Sequence, residues 1–204
     1  MDKNTTKIIT TAENLFLKFG VKNVTMDDIA KEMAMSKKTI YTYFSKKEIL
    51  VEVVVFTIFN RVAKRIYEII ASGLNPIQEI ITIEEELAVH IDQQTSAMMY
   101  QLQKYYPKLY KKLTDKQTEV IDKTFRENLK RGLAMGLYRD DINIDVITKI
   151  YYTTLISLHN QDIFPEDTYA CYDLKREYLI YHLRGIASSK GEKLITKYIK
   201  NEAL

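Results

Sequence analysis

Between Ser36 and Lys47 the chain carries Ser36, Lys37, Lys38, Thr39, Tyr41, Thr42, Tyr43, Lys46 and Lys47, with no acid in the stretch. Ammonium, hydroxyl and phenol groups in that density suit non-covalent chemistry. They hold phosphate oxygens, and the shorter ones also reach the edges of bases. The apolar residues interleaved with them, Ile40 and Phe44, are i and i+4 of one short helix and form its only strong inward face. At about 100° per residue, Lys38, Thr39 and Thr42 lie opposite that face, and Tyr41 and Tyr43 lie on its flanks. Base readers in front and phosphate clamps at the sides are what a major-groove recognition helix requires.

The preceding segment TMDDIAKEM supplies the element that must position this helix. Ile29, Ala30 and Met33 make one apolar stripe, Thr25 is placed to cap the start, and Asp27 and Asp28 fall in the first turn, where the helix dipole favours negative charge. Met33-Ala34-Met35 carries the chain round a corner to Ser36, a second N-cap. Helix, three-residue turn and helix is the build of a DNA-reading hairpin. The same residues also describe a basic, solvated face on a small helical hairpin, which is what a run of charges usually is.

From about Thr6 to Leu50 the chain resembles the DNA-binding head of the TetR (tetracycline repressor-like) family. The resemblance is carried by a helix ending FLKFG, by VTMDDIAKEM and by SKKTIYTYFSKKEIL, with matches at Thr25, Ile29, Ala30, Ser36, Lys37, Thr39, Ile40, Tyr41, Phe44, Lys47, Glu48 and Leu50. Two departures stand out: Ala34-Met35 where the family often has Gly-Val, and Lys38 where a Gly is frequent. Taken together, the helix wheel and the resemblance give DNA binding through Thr25, Ser36, Lys37, Lys38, Thr39, Tyr41, Thr42, Tyr43 and Lys47 as the expectation. It also implies a homodimer on a palindromic double-stranded operator, and a small-molecule effector held in the body. GLAMGLYRDDINIDVITKIYY is similar to a stretch common in the bodies of the family, leading into the helix that helps form the dimer. On that basis Ile147, Ile150, Tyr151, Thr154, Leu155 and Leu158, with Leu179, Leu183 and Ile186 on the next helix, are the expected dimer faces. Tyr100, Gln103, Tyr151, Thr154, His90 and His159 are the expected ligand contacts.

Charge is distributed as this reading requires. The formal net charge of +3 lies in the first 50 residues, which hold nine Lys and six acids; the rest of the chain holds 21 basic and 21 acidic side chains. The head has an anionic partner and the body need not. A single cysteine, Cys171, excludes an intramolecular disulfide framework and fits a reducing cytoplasm. MDKNTTK has no apolar core of a signal peptide, and the most apolar run, ILVEVVVFTIF, is far short of the ~20 residues of a membrane span. No membrane association is expected.

With three prolines and six glycines in 204 residues, and no stretch alternating with period two, the chain reads as all-α. A first helix ends at Gly20; Ser45-Lys46-Lys47-Glu48 has capping-box spacing and opens a long helix to about Ala71. Asn75-Pro76-Ile77-Gln78 starts another, to about Ile91, and further helices are expected at 95–105, 108–135, 143–161, 167–187 and 191–201. The expected organisation is a helix-turn-helix DNA-binding domain over residues 1–47 and a helical-bundle ligand-binding and dimerisation domain over 48–204, joined without a flexible linker.

Catalysis finds little support. His90, His159 and His182 have no Cys or second His at metal-site spacing, and no GxSxG, phosphate-binding loop or dinucleotide glycine pattern occurs. Glu84-Glu85-Glu86 reads as a solvated helix face and Cys171 as a small packed side chain, so no catalytic residue, metal or cofactor is expected. Two alternatives remain: a DNA-binding regulator with no small-molecule inducer, and an α-helical binding module or enzyme with an incidental helix-turn-helix.

Overall fold

The computed structural model describes residues 2–90, 93–158, 162–165 and 167–201. Its helices are α1 (Lys3–Phe19), α2 (Met26–Glu32), α3 (Lys37–Tyr43), α4 (Lys47–Ala71), α5 (Pro76–His90), α6 (Gln93–Tyr105), α7 (Pro107–Ala134), α8 (Ile144–Ser157), α9 (Cys171–Ile186) and α10 (Ser189–Asn201). Among the described residues there is no strand, and an isolated antiparallel bridge joins Tyr138 to Ala187. The protein is all-α.

Local chemistry explains most of the boundaries. Thr25 forms a complete capping box: its hydroxyl accepts from the Asp28 N–H (3.2 Å) and the Asp28 carboxylate accepts from the Thr25 N–H (2.8 Å). Ser36 accepts from the Thr39 N–H at 3.0 Å, Asn75 from the Gln78 N–H at 3.1 Å, and Asn143 from the Val146 N–H at 3.1 Å. Gly20 ends α1 at φ 84°, a conformation an L side chain rarely adopts. The start of α4 differs from expectation. The helix begins at Lys47, its first turn closed by the Leu50 N–H on the Lys46 carbonyl (3.4 Å), so Ser45 lies one residue outside the cap position. Buried Phe44 holds the chain extended there, at φ −133° and ψ 100°.

The chain divides into two compact units, residues 1–64 with 91–117, and 65–90 with 118–204. In the first, Ile8, Ala12 and Phe16 of α1, Ile29 of α2, Ile40 of α3 and Leu50, Val51 and Val54 of α4 pack with Met98 and Leu102 of α6 and Leu113 of α7. The corner after α1 is held from α6: the side-chain Oε1 of Gln101 accepts from the Lys22 N–H at 3.0 Å, and the Lys22 ammonium lies 4.2 Å from the centre of the Tyr105 ring.

In the second unit, Ile77 and Ile80 of α5, Phe125 and Leu129 of α7, Leu137, Tyr138, Tyr151 of α8, Leu179, Leu183 and Ile186 of α9 and Ile195 of α10 share one core. A polar network crosses it. Asn128 donates to the Pro76 carbonyl and to the carboxylate of buried Glu79, both at 2.8 Å, and accepts from the Tyr138 hydroxyl at 2.8 Å. Arg131 pairs with the same Glu79 oxygen and offsets its charge, while Glu79 Oε2 has no hydrogen-bond partner. Leu179, Leu183 and Ile186, expected to face a partner subunit, are instead consumed by this core, because α9 packs against α5 and α10.

Candidate nucleic-acid interface

α2 and α3 bury Ile29, Ala30, Ile40 and Phe44, so the other side chains of α3 are turned outward. Each unit of CH₂ removed from water stabilises by roughly 0.8 kcal/mol, so the buried Ile40 and Phe44 fix which face of the helix is free. Lys37, Lys38, Tyr41 and Thr42 are exposed, as are Thr25 and Ser36, while Thr39, Tyr43 and Lys47 are half-buried. The turn between the helices places Ala34 at φ 51°, and the Met35 N–H closes it on the Ala30 carbonyl at 2.9 Å.

Several of these groups are already engaged. The Ser36 and Thr39 hydroxyls share a hydrogen bond of 2.7 Å, and the Thr42 hydroxyl donates to the Thr39 carbonyl at 2.6 Å, leaving its lone pairs free to accept. The Lys37 ammonium lies 2.8 Å from the Asp27 carboxylate, which raises its pKa above the usual lysine value. Lys47 donates to the Lys22 carbonyl at 3.1 Å, and its partial burial lowers its pKa. The Tyr43 hydroxyl accepts from the Asn4 amide at 3.0 Å, so α1 orients a flank of α3. Sequence reasoning missed both Asn4 and the Asp27–Lys37 pair. The second has a local signal, an acid at the start of α2 ten residues before a lysine at the start of α3; the first has none.

The residues expected to hold a ligand are distributed differently. Tyr100 and Gln103 are exposed on α6 in the first unit. Tyr151 is buried on α8 in the second, with Thr154 half-buried one turn on. His159, and the side chain of His90, lie outside the described residues. Tyr151 is stacked on Phe125 with ring centres 4.0 Å apart, and Tyr178 and His182 of α9 lie beside it, at 6.0 and 4.9 Å. His182 is 6% exposed, its Nε2 has no hydrogen-bond partner, and burial pushes its pKa down to about 4, so the ring is neutral.

Glu84 corrects the expectation of a solvated acidic face. Glu85 is exposed and Glu86 pairs with Arg65 at 2.8 Å, but the Glu84 carboxylate turns inward and accepts from the Tyr151 hydroxyl at 2.7 Å. Desolvation raises its pKa above the usual carboxylate value. The signal was present in the spacing: Glu84 follows Ile77 at i+7, Ile80 at i+4 and Ile81 at i+3, on the stripe that faces the core.

A capped hairpin of two short helices with an outward basic and hydroxyl face defines a helix-turn-helix DNA-binding protein. Residues 8–54 match the family model described as bacterial regulatory proteins, tetR family. The chain is 23% identical over 196 residues to the HTH-type transcriptional repressor KstR2 of Mycolicibacterium smegmatis, covering 92% of each. Its fold is similar to that of the ketosteroid transcriptional regulator KstR2 of Mycobacterium tuberculosis, with a TM-score of 0.62, 18% identity and coverage of 93% of this chain and 97% of that one. It is also similar to SmeT, the repressor of the Stenotrophomonas maltophilia multidrug efflux pump SmeDEF, with a TM-score of 0.72, 13% identity and 91% of each chain covered. Over residues 8–54 the chain is similar to the tetR family of bacterial regulatory proteins, and it is a DNA-binding transcriptional regulator. Among the described residues no helix is long and apolar enough to cross a membrane, and no cluster of three His, Cys, Asp or Glu could hold a metal ion.

Proposed function

We propose that the protein is a cytoplasmic, homodimeric repressor whose two heads, residues 1–47, occupy successive major grooves of a palindromic operator, and whose body, residues 48–204, dimerises and binds a small-molecule effector that releases the DNA. The observation that carries the first half is the face of α3: Ile40 and Phe44 are buried, which leaves Lys38, Tyr41 and Thr42 exposed together. In this docking Lys38 and Thr42 meet base edges, and Thr25, Ser36, Lys37, Thr39, Tyr41, Tyr43 and Lys47 hold or support the phosphate contacts. The ligand half is supported by the aromatic cluster around Tyr151, which keeps a buried histidine nitrogen without a partner.

Electrophoretic retardation of DNA flanking the protein's own gene tests the first half, and Lys38→Ala should change the preferred base at particular operator positions. Each mismatch typically costs ~1–3 kcal/mol. A protein that retards all DNA equally would overturn sequence-specific repression. For the second half, a compound that raises the melting temperature should bind more weakly once operator is present. Coupling of this kind is reciprocal and typically ~1–3 kcal/mol. A tight-binding compound indifferent to operator would mean that it is not the inducer.

A further inference from the structure

Lys22, at the corner between α1 and α2, has its polar groups held from two other helices. Its N–H donates to the Oε1 of Gln101 on α6 at 3.0 Å, its carbonyl accepts from the Lys47 ammonium at the start of α4 at 3.1 Å, and its own ammonium lies 4.2 Å from the centre of the Tyr105 ring at the end of α6. Residues 21–23 form a turn outside any helix, so no helical ladder fixes the direction of the Lys22 carbonyl. The contacts from α6 do so instead. The seat of Gln101 is correspondingly close: Gly20 lies against its side-chain amide at φ 84°, and a Cβ added there would stand 2.2 Å from Nε2. Lys47 is half-buried, and an ammonium partly withdrawn from water needs an oriented acceptor. The Lys22 carbonyl takes one of its three donors, and the other two remain for phosphate oxygens.

We propose that Gln101 is a positioning residue for DNA binding: by holding Lys22 it fixes where the Lys47 ammonium meets the phosphate backbone. This rests on the reading of Lys47 as a phosphate contact. Gln101 lies far along the chain from residues 8–54, which match the family model, yet it belongs to the same compact unit as the head. Without the amide bond the turn relaxes, its carbonyl loses a fixed direction, and the ammonium it aims loses one too. Phosphate contacts set register and carry no base information, so the effect is uniform over sequences.

Gln101→Met keeps the length of the side chain and removes the acceptor. Binding of the full-length protein to a short fluorescent duplex from upstream of its own gene, and to a scrambled duplex, is followed by anisotropy over a series of salt concentrations. The variant should bind both duplexes roughly 2- to 10-fold more weakly, the range of one neutral hydrogen bond, and the slope of log K against log salt should fall by up to about one unit. The deciding measurement is the same substitution made in Lys47→Ala, where it should change neither affinity nor slope any further. In Gln101→Glu, which keeps an acceptor of the same reach, Lys47→Ala should cost as much as it does in the wild type, so a folding defect in the Met variant does not decide the matter. The inference is overturned if Gln101→Met binds as the wild type does, if it weakens binding by the same factor with and without Lys47, which is what a purely structural role gives, or if the Glu variant has lost its dependence on Lys47. Should Lys47→Ala alone leave the salt slope intact, the phosphate reading of Lys47 falls and the role of Gln101 falls with it.

Discussion

Lys37 and Lys38 are neighbours in sequence with different electrostatic fates. The Lys37 ammonium is neutralised by Asp27 at 2.8 Å, and Asp27 itself presents a negative charge beside the proposed phosphate track. Asp27→Asn should therefore raise affinity for all sequences alike and steepen the dependence of log K on log salt by up to about one unit. Titrations at several salt concentrations check this; unchanged affinity and slope would mean that Lys37 does not meet a phosphate. His182 makes the second residue-scale prediction. Its pKa falls from 6.5 to about 4 on folding, so the unfolded chain binds the proton more readily, and stability present above pH 6.5 is lost as pH falls toward 4. Replacing His182 by Phe should flatten that part of the stability profile, which the wild-type ring lowers by about 3 kcal/mol across the window. Urea unfolding at pH 7 and pH 4.5 measures it, and equal pH dependence in both proteins would contradict the burial of the ring.

At the scale of elements, the hairpin turn carries a cost. Ala34 sits at φ 51°, where its Cβ crowds the backbone, and glycine is free of that penalty. Ala34→Gly should stabilise the protein by up to about 1 kcal/mol, less whatever the more flexible unfolded chain gives back. Because the turn geometry is unchanged, DNA specificity should be unaffected. A loss of stability in chemical denaturation would show that the turn does not strain alanine. The cap at Thr25, by contrast, is a complete box, whereas Ser36 supplies the forward bond to the Thr39 N–H.

At the scale of the whole molecule, the exposed apolar side chains of α8 need a cover. Val146, Ile150 and Ile156 are each nearly half exposed, and Tyr181 on α9 is 77% exposed, although both helices are otherwise built into a core. A proposed two-fold interface through this surface gives a species near twice the 23.9 kDa chain mass in sedimentation at micromolar concentration. Ile150→Glu should shift that equilibrium to monomer without unfolding the chain, and should weaken binding to a palindromic site more than to a half-site. A variant that remained dimeric would move the interface elsewhere.

The helices and the head were legible in the sequence because their causes are local. A cap bonds a backbone amide three residues on, a stripe repeats at i and i+4, and glycine or proline stops the chain where it stands, so Thr25, Ser36, Gly20 and Asn75 marked ends that the fold keeps. Which polar groups face which partners was decided only by tertiary structure. Gln101 reaches Lys22 across 79 residues and Asn4 reaches Tyr43 across 39, separations at which no periodicity survives. Glu84 looked like one of three solvated acids until α8 brought Tyr151 to it, and Leu179, Leu183 and Ile186 looked like an interface until α5 and α10 closed over them. An apolar stripe specifies that something must cover it. The identity of the cover depends on which other stripes the folded chain brings within reach, and that is a property of packing over long sequence distances.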